Sequence, residues 1–128
     1  MALRTPVSTD HAPAAIGPYS QAIRTGSLLF CSGQIPLDPS TEEIVKEDVA
    51  GQARRCLENL SAVCEAAGAS LTEAVRCTVY LVDIGDFARV NEIYSEFFGG
   101  DDPPARVTVG VAALPQGADV EMDAIVAL

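Results

Sequence analysis

A single α+β domain, one sheet with two helices on one of its faces, is the fold this sequence predicts. Three observations carry the expectation. Apolar residues recur at intervals of three and four between positions 46 and 67 and again between 87 and 98, while the flanking segments alternate in short runs rich in β-branched residues. The order strands, helix, strand, helix, strands satisfies the rule that each apolar face is buried against another layer. At 128 residues the chain suffices for one core and is too short for two, so residues 1–128 are read as one domain.

Gln21 to Thr25 and Leu28 to Ser32 read as strands on either side of Thr25-Gly26-Ser27, a hairpin-like pair. Ser32-Gly33-Gln34-Ile35-Pro36 interrupts the alternation, and Asp38-Pro39-Ser40-Thr41 has turn chemistry. From Lys46 to Ala67 the positions Val49, Ala53, Cys56, Leu57, Leu60, Val63, Cys64 and Ala67 make one helical stripe, with Gly68 as its stop. Ser70-Leu71-Thr72-Glu73 fits a capping box on a short turn, and Val75 to Val82 is a strand. A second helix runs from Phe87 to Phe98 and closes at Gly99-Gly100. After an Asp-Asp-Pro-Pro loop come two last strands, Arg106 to Ala112 and Val120 to Val126. Helices on one side leave the sheet's other face to be covered, which a small domain achieves by packing sheet against sheet in an oligomer.

Composition narrows the function. The balance of 48% apolar and 20% charged residues is that of a globular protein. No run approaches the roughly 18 apolar residues of a membrane span, and MALRTPVSTDHAPAAIGPY lacks the apolar core of a secretion signal, so a cytoplasmic protein is expected. Eighteen acidic against eight basic residues, a formal charge of −10, argue against nucleic acid, whose binding needs clustered Lys and Arg. A small anion would meet the same unfavourable field and would need a local cation. The four cysteines, Cys31, Cys56, Cys64 and Cys77, form no CxxC pair and read as small buried hydrophobes rather than disulfides or zinc ligands. His11, the single histidine, lies in a Thr-Asp-His-Ala-Pro loop and reads as solvated. The chain carries no GxSxG, no phosphate-cradling glycine loop and no metal-ligand spacing; no metal and no cofactor are expected.

A few residues break the pattern. Arg106 follows Pro103-Pro104-Ala105 at the mouth of an alternating strand, where it can receive an anion. Asn91 lies on the apolar stripe Phe87, Val90, Tyr94, Phe97, Phe98, where an amide is costly unless hydrogen-bonded, whether to nearby backbone or within a site. In the last strand Val120, Met122, Ala124 and Val126 share one face, and Glu121, Asp123, Ile125 and Ala127 the other. If the last two strands pair, Arg106 and Glu121 share a sheet face, as a surface ion pair or as parts of a site. Tyr19, after Gly17-Pro18, fits loop packing or a site equally.

Four segments together resemble the reactive intermediate/imine deaminase (RidA/YjgF) family, in order and over essentially the whole chain. They are Pro13-Ala14-Ala15-Ile16-Gly17-Pro18-Tyr19-Ser20-Gln21, then Ser32-Gly33-Gln34-Ile35-Pro36, then Asp86-Phe87-Ala88-Arg89-Val90-Asn91. The last is Pro104-Ala105-Arg106 with Leu114-Pro115 and Val120-Glu121-Met122-Asp123-Ala124. The resemblance implies a chorismate-mutase-like fold with a single mixed β-sheet, assembled as a homotrimer with sites in clefts between subunits. It implies hydrolysis of 2-imino acids and their enamine tautomers, such as 2-iminopropanoate and 2-iminobutanoate, to 2-oxo acids and ammonia. Arg106 would then clamp the substrate carboxylate with two parallel charge-assisted hydrogen bonds. Glu121 would position the attacking water and can also shuttle a proton. Tyr19 and Asn91 match positions lining the cleft, and Ser32 and Gly33 match a loop that contributes backbone. Thr108 stands where some members carry cysteine, so a main-chain contact there survives and a thiol-dependent role does not. The alternative is a module that binds or senses small carboxylates such as 2-oxo acids without turnover. A ribonuclease activity, proposed for relatives, is opposed by the acidic surface.

Overall fold

The structure, a computed structural model, describes residues 3–128. Eight strands and two α-helices follow in the order β1 (Arg4–Val7), β2 (Ala22–Thr25), β3 (Leu28–Gln34), β4 (Leu37–Asp38), β5 (Glu43–Ile44), α1 (Val49–Ala66), β6 (Ala74–Leu81), α2 (Phe87–Phe98), β7 (Ala105–Gly110) and β8 (Val120–Ala127). Six strands make one mixed sheet in the order β1-β2-β3-β8-β6-β7, and β4 and β5 pair as a small ribbon. All main-sheet pairings are antiparallel except β6 with β7.

Both helices pack on the same face, as expected. The stripe of α1 is buried from Val49 through Cys64, against the alternate residues Leu29, Val79, Leu81, Met122, Ala124 and Val126 of the central strands. Asp48 caps α1 by accepting a hydrogen bond from the Gly51 amide at 3.0 Å and also pairs with Arg89 of α2, so one carboxylate ties the start of one helix to the other. Gly68 ends the helical segment with φ of +74°, a conformation a side chain disfavours. All four cysteines are buried and free, as the sequence suggests. Among the described residues no helix is long and apolar enough to cross a membrane.

The last two strands do not pair with each other, which corrects the sequence reading. β6, α2 and β7 form a β-α-β unit, whose crossover helix sets the two strands parallel and adjacent; β8 then returns antiparallel on the other side of β6. Arg106 is registered with Cys77, which faces the helices, whereas Glu121 is registered with Tyr80 on the opposite face. The arginine and the glutamate are therefore separated by the sheet.

Smaller differences have local causes. β3 continues to Gln34 because the Ser32-Gly33 interruption is a bulge: Cys31 is opposite Ala124 and Gln34 opposite Met122, so the strand carries one residue more than its partner. β1 was hidden by Pro6, tolerated because this strand is an edge. Ser70 accepts from the Thr72 amide at 3.3 Å, so the capping box is only half made. Gly99 closes α2 at φ of −81°, not left-handed; the absence of a Cβ matters there because one would strike the Ser95 carbonyl oxygen.

The sheet face away from the helices is bare. Phe30 is 42% exposed, and Val107 and Val109 are each 37% exposed on that side, beside Tyr80 and Ile125. On the covered side, the fully buried Asn59 donates to the Leu37 carbonyl at 3.0 Å and accepts from Arg55 Nε at 3.0 Å, pinning the β4 ribbon to α1. Asn59→Leu strands both partners and is expected to cost ~1–3 kcal/mol, measurable by urea unfolding; an unchanged midpoint would show the ribbon to be held otherwise.

Candidate functional site

Arg106 opens β7 at the end of the loop from α2. Its Nη1 donates to Asn91 Oδ1 at 2.7 Å, and its guanidinium lies over the rings of Tyr94 at 4.7 Å and Phe87 at 5.2 Å from their centroids. The period of α2 brings this about: positions 87, 91 and 94 lie on one stripe, so ring, amide and ring meet the same cation. Among the described residues no carboxylate pairs with Arg106. The guanidinium is thus fixed in plane by uncharged partners and retains its charge and remaining donors for an anion. Thr108, two residues on, lies on the same helix-covered side and lines a small hollow with Arg106, Asn91, Tyr94 and Phe87. The costly amide of the apolar stripe has its explanation: it holds the arginine.

Across the sheet, Glu121 lines a separate pocket of about 440 Å³ with Tyr19, Gly33, Ile35, Ile16 and Gln116. The β3 bulge presents Gly33 to the glutamate, and a Cβ at Gly33 would collide with Glu121 Oε2. A side chain at position 33 would force the Glu121 carboxylate out of this position. Burial first, and the charge of Asp123 second, push the Glu121 pKa above the usual carboxylate range. Tyr19 is 52% exposed at the pocket rim. Ser32 is not in the lining; its Oγ donates to the Ser20 carbonyl at 2.6 Å and its amide to Gln21 O at 2.9 Å, so it braces the loop that carries Tyr19.

The structure therefore sorts the sequence candidates into two sets. Arg106, Asn91 and Thr108 form a cationic shelf on the helix side. Tyr19, Gly33 and Glu121, with Ser32 behind, form an acidic pocket on the other side. Within one chain the two sets do not meet.

Several supporting residues escaped the sequence reading. Phe87 and Tyr94 were read as core and are the shelf under the cation; their spacing around Asn91 was the available signal. Gln52 of α1 clamps Asp119, donating to its carboxylate at 2.8 Å and accepting from its amide at 2.9 Å, which fixes the entry to β8 two residues before Glu121. Gln21 donates to Pro13 O at 2.8 Å and accepts from the Thr9 amide at 2.7 Å, folding the segment that leads to Tyr19. No local sequence pattern marks either glutamine.

A family model described as Endoribonuclease L-PSP matches residues 9–128. Protein DfrA of Myxococcus xanthus is 56% identical over 124 residues, 95% of this chain and 94% of that protein. The 2-iminobutanoate/2-iminopropanoate deaminase of Rattus norvegicus is 47% identical over 123 residues, 96% of this chain and 89% of that protein. The crystal structure of E. coli TdcF with bound serine is 44% identical with a TM-score of 0.91, covering 97% of this chain and 98% of that one. The chain belongs to this family, the RidA/YjgF group that its motifs resemble.

A buried glutamate whose folded pKa is raised favours the protonated form in the fold, so ionisation costs stability. That cost is absent below the ordinary glutamate range, near ~4.3, and grows as pH rises toward the folded value. Glu121→Gln is expected to raise the melting temperature at pH 7 and to leave it unchanged at about pH 3, in paired thermal melts.

Proposed function

We propose that the chain hydrolyses small 2-imino acids, 2-iminopropanoate and 2-iminobutanoate with their enamine tautomers, to 2-oxo acids and ammonia, at a site completed by a second copy in a homotrimer. The observation that carries this reading is the division of the site: the cationic shelf lacks an acid, and the acidic pocket lacks a cation, on opposite faces of one sheet. A neighbouring copy seated on the bare face, where Phe30, Val107 and Val109 are exposed, can bring its own half to the missing one. The rat relative's deaminase name and the serine bound to TdcF, an acid with nitrogen on its α-carbon, support the same substrate class.

In this mechanism the Arg106 fork grips the carboxylate. Asn91 and the two rings hold the fork still, so little orientation has to be found on binding. The iminium carbon is already electrophilic and needs no covalent nucleophile. Water held by Glu121 adds to it, its proton passing to the carboxylate. Glu121 then returns a proton to the nitrogen as the carbinolamine collapses: the C–N bond breaks, ammonia leaves, and the hydroxyl proton passes to the Glu121 carboxylate as the C=O bond forms. The Gly33 loop keeps the carboxylate close to the reacting carbon. The family's endoribonuclease description concerns RNA, but a charge of −10 opposes a polyanion. Four free, buried thiols suit the reducing cytoplasm.

Arg106→Ala is expected to lower kcat/KM for freshly generated 2-iminopropanoate by ~10–100-fold, the loss of a charge-assisted pair. Wild type that speeds imine loss no more than this variant, while binding a 2-oxo acid saturably, would establish the carboxylate-binding module instead. RNA cleavage lost with either site substitution would establish the nuclease.

The divided site makes a second prediction. Arg106→Ala and Glu121→Ala chains, each impaired alone, should recover activity above either variant when unfolded together and reassembled, because about a quarter of randomly formed sites regain both residues. No recovery from properly assembled mixed oligomers would place both groups in the same copy's site.

A further inference from the structure

Glu121 and Asp123 are two residues apart on the same face of β8, and their surroundings differ. Opposite Glu121 on β6 is Tyr80, and opposite Asp123 is Thr78. The Tyr80 hydroxyl does not bond its direct partner; it reaches diagonally and donates to Asp123 Oδ2 at 2.8 Å. Among the described residues Glu121 receives no hydrogen bond, and its carboxylate lies in the space left by Gly33. Asp123 opens instead onto a separate hollow of the bare face with Arg76, Thr78 and Phe30.

We propose that Asp123, anchored by the Tyr80 hydroxyl, is a positioning residue that acts through Glu121, making it the proton-carrying acid of the pair. The inference rests on the imine-hydrolase reading and extends it to the step in which nitrogen departs. Two neighbouring carboxylates do not ionise independently: the one with a donor keeps its charge and the one without takes the proton. Burial and the Asp123 charge, in that order, push Glu121 in that direction. The other groups facing it do not oppose this. Tyr19 and Gln116 share its pocket as uncharged groups, and Gly33 and Gln34 of β3 carry no charge. Cys56 of α1 stays a neutral thiol, its pKa pushed up by burial and then by Glu121. Arg106 of a neighbouring copy is the counterweight, and the substrate carboxylate neutralises it on binding. Once water has added, the iminium charge is gone as well; Glu121 then faces the Asp123 charge and gains proton affinity as the carbinolamine nitrogen needs an acid.

The experiment pairs pH–rate profiles for 2-iminopropanoate loss with carbon-13 titration of the glutamate carboxyls, Glu121→Gln assigning the resonance. Asp123→Asn should shift the Glu121 midpoint, and the alkaline limb of the rate profile, to lower pH, with kcat reduced at pH 8 and KM unchanged. Tyr80→Phe should shift both to lower pH by less than Asp123→Asn does, because Asp123 without its donor competes for the proton, and Asp123→Glu should restore the wild-type limb. A midpoint that stays put or rises in Asp123→Asn overturns the inference, as does a Tyr80→Phe shift to higher pH. If wild type fails to speed imine loss, the hydrolase reading falls, while the carboxyl titration still decides whether Asp123 controls Glu121.

Discussion

The position of β6 between β7 and β8 is the constraint on which the rest depends. It makes β7 the parallel edge of the sheet, reached through α2, and places Arg106 under the helix that steadies it. It makes β8 a central strand, so Glu121 is flanked on both sides and half-buried. With alternation fixed at two residues, the register sends the cation to one face and the acid to the other. Within one copy the two groups do not meet.

What could be read from the sequence follows from the range of each signal. Both helices were legible because a 3.6-residue period is written within the segment; α2 was predicted to its residue limits. The alternation of Val120, Met122, Ala124 and Val126 told which residues of β8 enter the core. It could not tell which strand lies beside it. Pairing is long-range, so the pairing of the last two strands could only be posed as a condition, and β6 lies between them. Asn91 was marked as anomalous by its place on an apolar stripe, yet its partner lies fifteen residues on, across a loop. Gly33 was seen as a break in alternation; only the fold shows that the break admits a carboxylate.

Buried polar side chains do comparable work elsewhere in the molecule. Gln21, Gln52 and Asn59 are all buried and hydrogen-bonded, and each fastens a loop or strand entry rather than filling the core. A buried amide is stabilising only in the arrangement that satisfies it, so such groups select one loop path over others. The paths selected by Gln21 and Gln52 lead to Tyr19 and to Glu121. Glu121 itself is the exception. It is half-buried without a donor among the described residues, a local cost of the kind that functional positions carry.

The acidic field completes the electrostatic picture. At neutral pH a protonated imine bearing a carboxylate has no net charge, whereas the 2-oxo acid it yields is an anion. On the imine-hydrolase reading, a net charge of −10 therefore does little to repel the substrate but opposes retention of the product. On the same reading the Arg106 guanidinium supplies local attraction to the carboxylate of both species, and salt screens it over roughly 8–10 Å. Specificity for an imine over an oxo acid then has to come from the nitrogen end, where a carboxyl group meets the departing amine. On this reading the arginine decides that a small acid binds, and the glutamate decides which one reacts.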